Sequence, residues 1–242
     1  MNTLSPFAKT LFAASIAALS LVSEAQAAPP HVAWAETLIA NLSPDQNEYN
    51  TNPNYIYWAG IDGASVYANR TQCSSFLTRI LKRAYGWTDT EFKNWFHTAN
   101  PNAATYYDAI VVQNRFNPVV QALDIQSGDI IAVKYLFDAA TTGHVMTARG
   151  PAVLKTPVLP YKTGTAQYEI EVIDSAKSGH GSLDTRMMPD GSWDTGAGIG
   201  KARLYVDTAS GTVVGYSWSF SKSSEYHSAD DGYLIAAGRV IP

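Results

Sequence analysis

Apolar residues at positions 76, 77, 80, 81, 84 and 85 recur with the period of a helix, while Thr78, Arg79, Lys82 and Arg83 fall on the opposite side. The pattern predicts an amphipathic helix that opens near Cys73. Thr71 is its expected amino-terminal cap, Lys82 and Arg83 suit the negative end of its dipole, and Gly86 ends it. Segment 87–126 reads as a helical insert. It carries Thr88-x-x-Glu91 ahead of Phe92, Trp95 and Phe96, and then Asn100-Pro101 ahead of Tyr106, Tyr107 and Ile110, which predicts two helices laid over a sheet, with most of the aromatics in the core.

Beyond the insert the period changes. Gly128-Asp129 reads as a turn into a strand over 130–135, Gly143-His144 opens a second apolar run, and 168–175 alternates until Asp174. Further strands are expected over 202–206, 213–218 and 233–240, with a turn at 207–211. The glycine run at 196–201 superficially matches a phosphate-binding loop. It lacks the strand before and the helix after, and reads as a flexible connector. The class expected is α+β, with helices packed against a central antiparallel sheet.

The amino terminus changes the picture of where this domain works. Lys9, an apolar run from Leu11 to Val22 and Ala25-Gln26-Ala27 have the layout of a secretory signal peptide, with a cut expected after Ala27. Residues 28–242 would then form a single secreted or periplasmic domain, with no further membrane-spanning segment. A hydrophobic content of 46% is enough for a substantial core, and a net charge of −4 lacks the basic field that nucleic-acid binding needs.

The chain has one cysteine, so it cannot close an internal disulfide and carries a free thiol into an oxidising compartment. Cys73 is either a small buried hydrophobe or, in the first turn of a helix where free N–H groups and the dipole favour a thiolate, a nucleophile. A nucleophile needs a base. Among His31, His97, His144, His180 and His227, only His144 begins a strand beside strand 130–135, and consecutive antiparallel strands would bring it to the same sheet edge as Asp174. That carboxylate would orient the imidazole, leaving its other nitrogen for the thiol. His180 and Arg186 lie in a glycine-rich loop after Asp174, either as substrate contacts or as plain surface. A metal site from His144, Asp174, His180 and Asp184 lacks any recognised ligand spacing, and no cofactor is expected.

Gln72-Cys73-Ser74-Ser75-Phe76, Gly128-Asp129-Ile130, Gly143-His144-Val145 and Ile173-Asp174-Ser175, in that order, resemble the NlpC-type cell-wall peptidases of the papain-like superfamily, over roughly residues 55–176. Gln72 stands where that family commonly has Asp, Ser75 where it has Gly, and Asp174 where His is common. The resemblance implies a papain-like core, a Cys73-His144-Asp174 triad and hydrolysis of amide bonds in peptidoglycan stem peptides. It also implies an oxyanion donor beside the thiol, for which Tyr67 and Gln72 are the candidates. An acyltransferase or transglutaminase-like enzyme on the same scaffold, and a non-catalytic wall-binding module, are the competing classes.

Overall fold

A computed structural model describes residues 27–242; the expected signal peptide falls on residues that lie, apart from Ala27, outside the described ones. Helix α1 (Pro30–Asn41) comes first, followed by a small sheet of β1 (Asn47–Tyr49), β2 (Tyr55–Tyr57) and β3 (Ala68–Thr71) in the order β1-β3-β2. Helix α2 (Cys73–Tyr85) leaves β3 after a single residue, and α3 (Asp89–Phe96) and α4 (Ala103–Val111) follow. The rest is mainly strand: β4 (Phe116–Val119), β5 (Ile130–Tyr135), β6 (Gly143–Ala148), β7 (Val153–Lys155), β8 (Thr165–Ala176), β9 (Gly196–Asp207), β10 (Val213–Ser217), β11 (His227–Ser228) and β12 (Tyr233–Val240). These nine strands form one sheet in the order β11-β10-β9-β8-β6-β5-β12-β4, with β7 on the side of β8, and every neighbouring pair is antiparallel. The protein is α+β, with a large antiparallel sheet and four helices among the described residues.

The two faces of the sheet bury different clusters because side chains alternate along each strand. Ile130, Ala132 and Val145 face the helices and pack with Leu77, Leu81, Phe92, Tyr106 and Ile110. Ile131, Val133, Met146, Ile170, Val172, Leu204 and Tyr216 form the core of the other face. There the sheet curls on itself: Tyr135 of β5, Tyr216 of β10 and Tyr233 of β12 meet, with ring centroids 4.8 Å apart for Tyr135–Tyr233 and 6.4 Å for Tyr216–Tyr233.

The expected helix over 73–85 is present, with Gly86 after it, but its cap is Gln72; Thr71 belongs to β3. Ser75 Oγ accepts the Gln72 N–H at 2.9 Å, closing the first turn. Thr78, expected on the polar side, is buried, bonded at 2.8 Å to the Ser74 carbonyl and at 2.7 Å to the Tyr106 hydroxyl. The α3 capping pair formed as read, with Thr88 N–H donating to Glu91 Oε2 at 2.7 Å. The second insert helix starts later than Asn100-Pro101 suggested, capped by Asn102. Trp87, Phe92, Trp95, Phe96 and Tyr106 pack in tilted and edge-on pairs against α2 and α4. The run at 196–201 is not a connector: it is the first half of β9, fully paired with β8 from Gly196 to Lys201.

Candidate active site

Three elements place the candidate chemistry. β6 pairs with β8 through Thr147↔Ile173 and Ala148↔Val172; continuing that register puts Met146 opposite Asp174, with His144 on its diagonal and on the same face. His144 Nε2 lies 2.6 Å from Asp174 Oδ2. The ordered pairing stops there, and the amino terminus of α2 meets the opening, so that the Cys73 thiol contacts the remaining side of the imidazole and the Val145 backbone N–H.

A polar network sets the height of α2 against the sheet. Ser175 Oγ donates to the Thr71 carbonyl at 2.9 Å, Thr71 Oγ1 to Asn69 Oδ1 at 2.7 Å, and Asn69 Nδ2 to Asn47 Oδ1 at 2.9 Å. Asn47 closes the chain on β9, accepting the Ala197 N–H and donating to the Ala197 carbonyl, each at 2.8 Å. Buried groups satisfied in this way tolerate little displacement, since each broken bond leaves an unpaired polar atom. Thr71 is two residues before Cys73 and Ser175 is next to Asp174, so the network locks the helix of Cys73 to the strand of Asp174.

The electrostatics of the three residues are coupled. Cys73, His144 and Asp174 are 6%, 6% and 1% exposed, and burial alone would disfavour charge on each. Burial pushes the thiol up, but the His144 charge and hydrogen bond, together with the Val145 N–H, outweigh it and hold Cys73 below its ordinary value. Burial pulls the imidazole down, yet the thiolate and Asp174 raise it to about 10. Asp174 is held well below the usual carboxylate range: burial opposes its charge, but the charges of Arg186 and His180 and hydrogen bonds from both histidines win. All three shifts thus favour the charged forms, a thiolate, an imidazolium and a carboxylate in a row.

The surrounding residues differ from the sequence expectations. Tyr67 packs against the cluster of α1 and α2 that contains Val32, Phe76 and Ile80, and Gln72 is exposed at the helix cap. The phenol whose charge state is tied to the thiol is Tyr49 of β1: burial followed by the Cys73 charge pushes it up. Tyr49 lies in the polar stretch 43–54, where no hydrophobic period marks a strand, and its proximity to Cys73 arises from the pairing of β1 with β3, which sets Tyr49 opposite Thr71. His180 and Arg186 are not surface residues: both are buried behind Asp174. Arg186 pairs with Asp174 at 2.9 Å and with Asp184 at 2.7 Å. Trp218 sits edge-on to His144 at 4.8 Å and stacks on His180 at 4.1 Å.

The donor atoms of His144, Asp174 and His180 lie within 4.8 Å of one another, as a metal site would require. Asp174 Oδ2 already faces both imidazoles, while Oδ1, buried without a hydrogen-bond partner, lies 2.9 Å from Arg186, whose guanidinium opposes a cation, so the cluster has the character of an ion-pair network.

Fold and site together define an α+β protein with a buried, charge-coupled Cys-His-Asp constellation at the junction of a helix and an antiparallel sheet. No family model and no solved structure matches the chain. It is 31% identical over 208 residues to an uncharacterized protein of Acanthamoeba polyphaga mimivirus, a match covering 82% of this chain and 91% of that one, and it belongs to the same family as that protein.

Proposed function

We propose that the chain is an exported cysteine hydrolase of the NlpC type, with a papain-like core, that cleaves amide bonds in peptidoglycan stem peptides. The observation that carries this reading is the convergence of Cys73, His144 and Asp174 with every pKa moved toward the charged form. A structural cysteine has no need of an imidazole and a carboxylate in line behind it. The leader-like residues 1–27 support export. Among the described residues no helix is long and apolar enough to cross a membrane.

The Cys73 thiolate attacks the amide carbonyl, forming an S–C bond. The negative oxygen meets the Cys73 N–H, which has no intrahelical acceptor in the first turn of α2, and the Tyr49 hydroxyl. His144 gives the proton on the nitrogen facing the thiol to the leaving amine as the C–N bond breaks, then takes a proton from the water that hydrolyses the thioester and frees the thiol. Asp174 holds the ring through Nε2 throughout.

Incubation of the wild type and Cys73→Ala with purified peptidoglycan, followed by mass analysis of released fragments, tests the reading. The wild type alone should release peptide fragments with new termini. Equal products from both proteins would remove Cys73 from the chemistry.

A further inference from the structure

The carboxylate behind His144 is braced from three directions. Asp174 Oδ2 lies 2.6 Å from His144 Nε2 and 2.9 Å from His180 Nε2, while Oδ1 lies 2.9 Å from Arg186. His180 is 3% exposed, and its Nδ1 lies 2.6 Å from the Trp218 carbonyl. Both of its ring nitrogens therefore face oxygen acceptors. A ring with one N–H would leave a lone pair against one of them; two N–H groups satisfy both. The far side of the brace is also built: Asp184 accepts from the His180 backbone N–H at 2.8 Å and from Arg186 Nε at 2.8 Å.

The glycines of β9 make room for this assembly. A Cβ at Gly198 would meet the Arg186 side chain, and one at Gly200 would meet the Asp184 carboxylate and His180 Cβ. The alternate glycines at 198 and 200 are thus a trough in which a buried ion pair lies against a strand.

We propose that His180 is a positioning residue of the active site: clamped between the Trp218 carbonyl and Asp174, it fixes the carboxylate so that Oδ2 stays aimed at His144. This rests on the Cys73-His144-Asp174 reading and deepens it. The charged and titratable groups facing Asp174 are His144 from β6, His180 and Arg186 from the loop between β8 and β9, Asp184 behind Arg186, and Cys73 and Tyr49 beyond the imidazole. Loss of His180 removes one donor and one neighbouring positive charge. The carboxylate then takes up a proton at higher pH, and the imidazole loses its anchor there.

The test uses the full chain and reads the thiol itself, as the rate of iodoacetamide alkylation of Cys73 against pH, with thermal unfolding run in parallel. His180→Phe retains a ring to stack on Trp218 but has no N–H, and His180→Gln restores one donor. The acid limb of His180→Phe should move up by about one pH unit, so that it reacts about tenfold more slowly at a pH on that limb, and His180→Gln should fall between it and the wild type. A folded His180→Phe whose profile overlays the wild type would overturn the proposal. Should that variant not fold, nitrogen NMR of the wild-type imidazoles decides: an N–H on His180 Nε2, bonded to Asp174, is expected, and a bare Nε2 would overturn it. Failure to find an amide substrate leaves this result standing, whereas a wild-type thiol that titrates as an ordinary cysteine would sink the underlying reading as well.

Discussion

At the scale of single residues the charge state of the thiol decides everything downstream. Cys73 is held below its ordinary value of 9.0, so the thiolate exists above a pH lower than that, and His144 is raised to about 10, so the imidazolium exists below about 10. The productive ion pair occupies the window between the two. Turnover should therefore rise as the thiolate forms below pH 9.0, level off, and fall above about pH 10, as His144 loses the proton it must donate. A turnover curve that tracks the ionisation of one ordinary thiol would contradict the pairing. Asp174→Asn keeps the shape but loses the charge, leaving the imidazole free to take the wrong tautomer, and should lower turnover by at least about 100-fold. Cys73, His144 and Asp174 were legible in the sequence because each sits at the boundary of a patterned element. Tyr49, Asp184 and Trp218 were not, since their roles depend on contacts between segments that no local period encodes.

At the scale of elements, β9 shows how a local pattern misleads. Gly196-Ala197-Gly198-Ile199-Gly200 has too little apolar side chain to read as a strand, yet it pairs residue for residue with β8 because its missing side chains accommodate Arg186, Asp184 and His180. The helices, by contrast, announced themselves, because α2 has a clear apolar stripe and α3 a reciprocal cap. These two features make a controlled comparison. Gly200→Ala pushes a methyl group into the Asp184 carboxylate and should destabilise by about 1–3 kcal/mol, as overpacking of a filled site does. Thr88→Ala removes the cap of an exposed helix end and should destabilise by about 1 kcal/mol. Denaturant unfolding gives both values. Iodoacetamide alkylation under native conditions should separate them: Gly200→Ala slows the thiol by disturbing the brace behind Asp174, and Thr88→Ala leaves it at the wild-type rate. Equal thiol reactivity in the two variants would mean that β9 supports stability only.

At the scale of the whole molecule, strand order was the least legible feature. β12, last in the chain, inserts between β5 and β4, and alternation along a strand specifies its faces but not its neighbours. One buried histidine adds a polar tie to the closure of the amino-terminal part onto this sheet. His31, at the start of α1, donates through Nε2 to the Gly128 carbonyl at 2.8 Å and accepts at Nδ1 from the Tyr85 hydroxyl at 2.7 Å, tying α1 both to the turn entering β5 and to the end of α2. That pattern requires the neutral ring, and burial lowers the His31 pKa despite the opposing pull of the Gly128 carbonyl and Asp129. The unfolded chain thus binds a proton at this position at a pH where the folded one does not. Its contribution to stability is complete above the unfolded value of about 6.5 and is lost progressively as pH falls from there through the lower folded value. Because His144, raised to about 10, pulls the opposite way in this range, the His31 contribution is read as a difference: between about pH 7.5 and about pH 5.5 the melting temperature of the wild type should fall relative to that of His31→Gln, which is less stable at the higher pH for want of one of the two bonds. Parallel losses in the two proteins would show that acid sensitivity in this range arises elsewhere. Asp174 does not account for a loss there, because its carboxyl is held well below the usual range and releases its share of stability only at still lower pH.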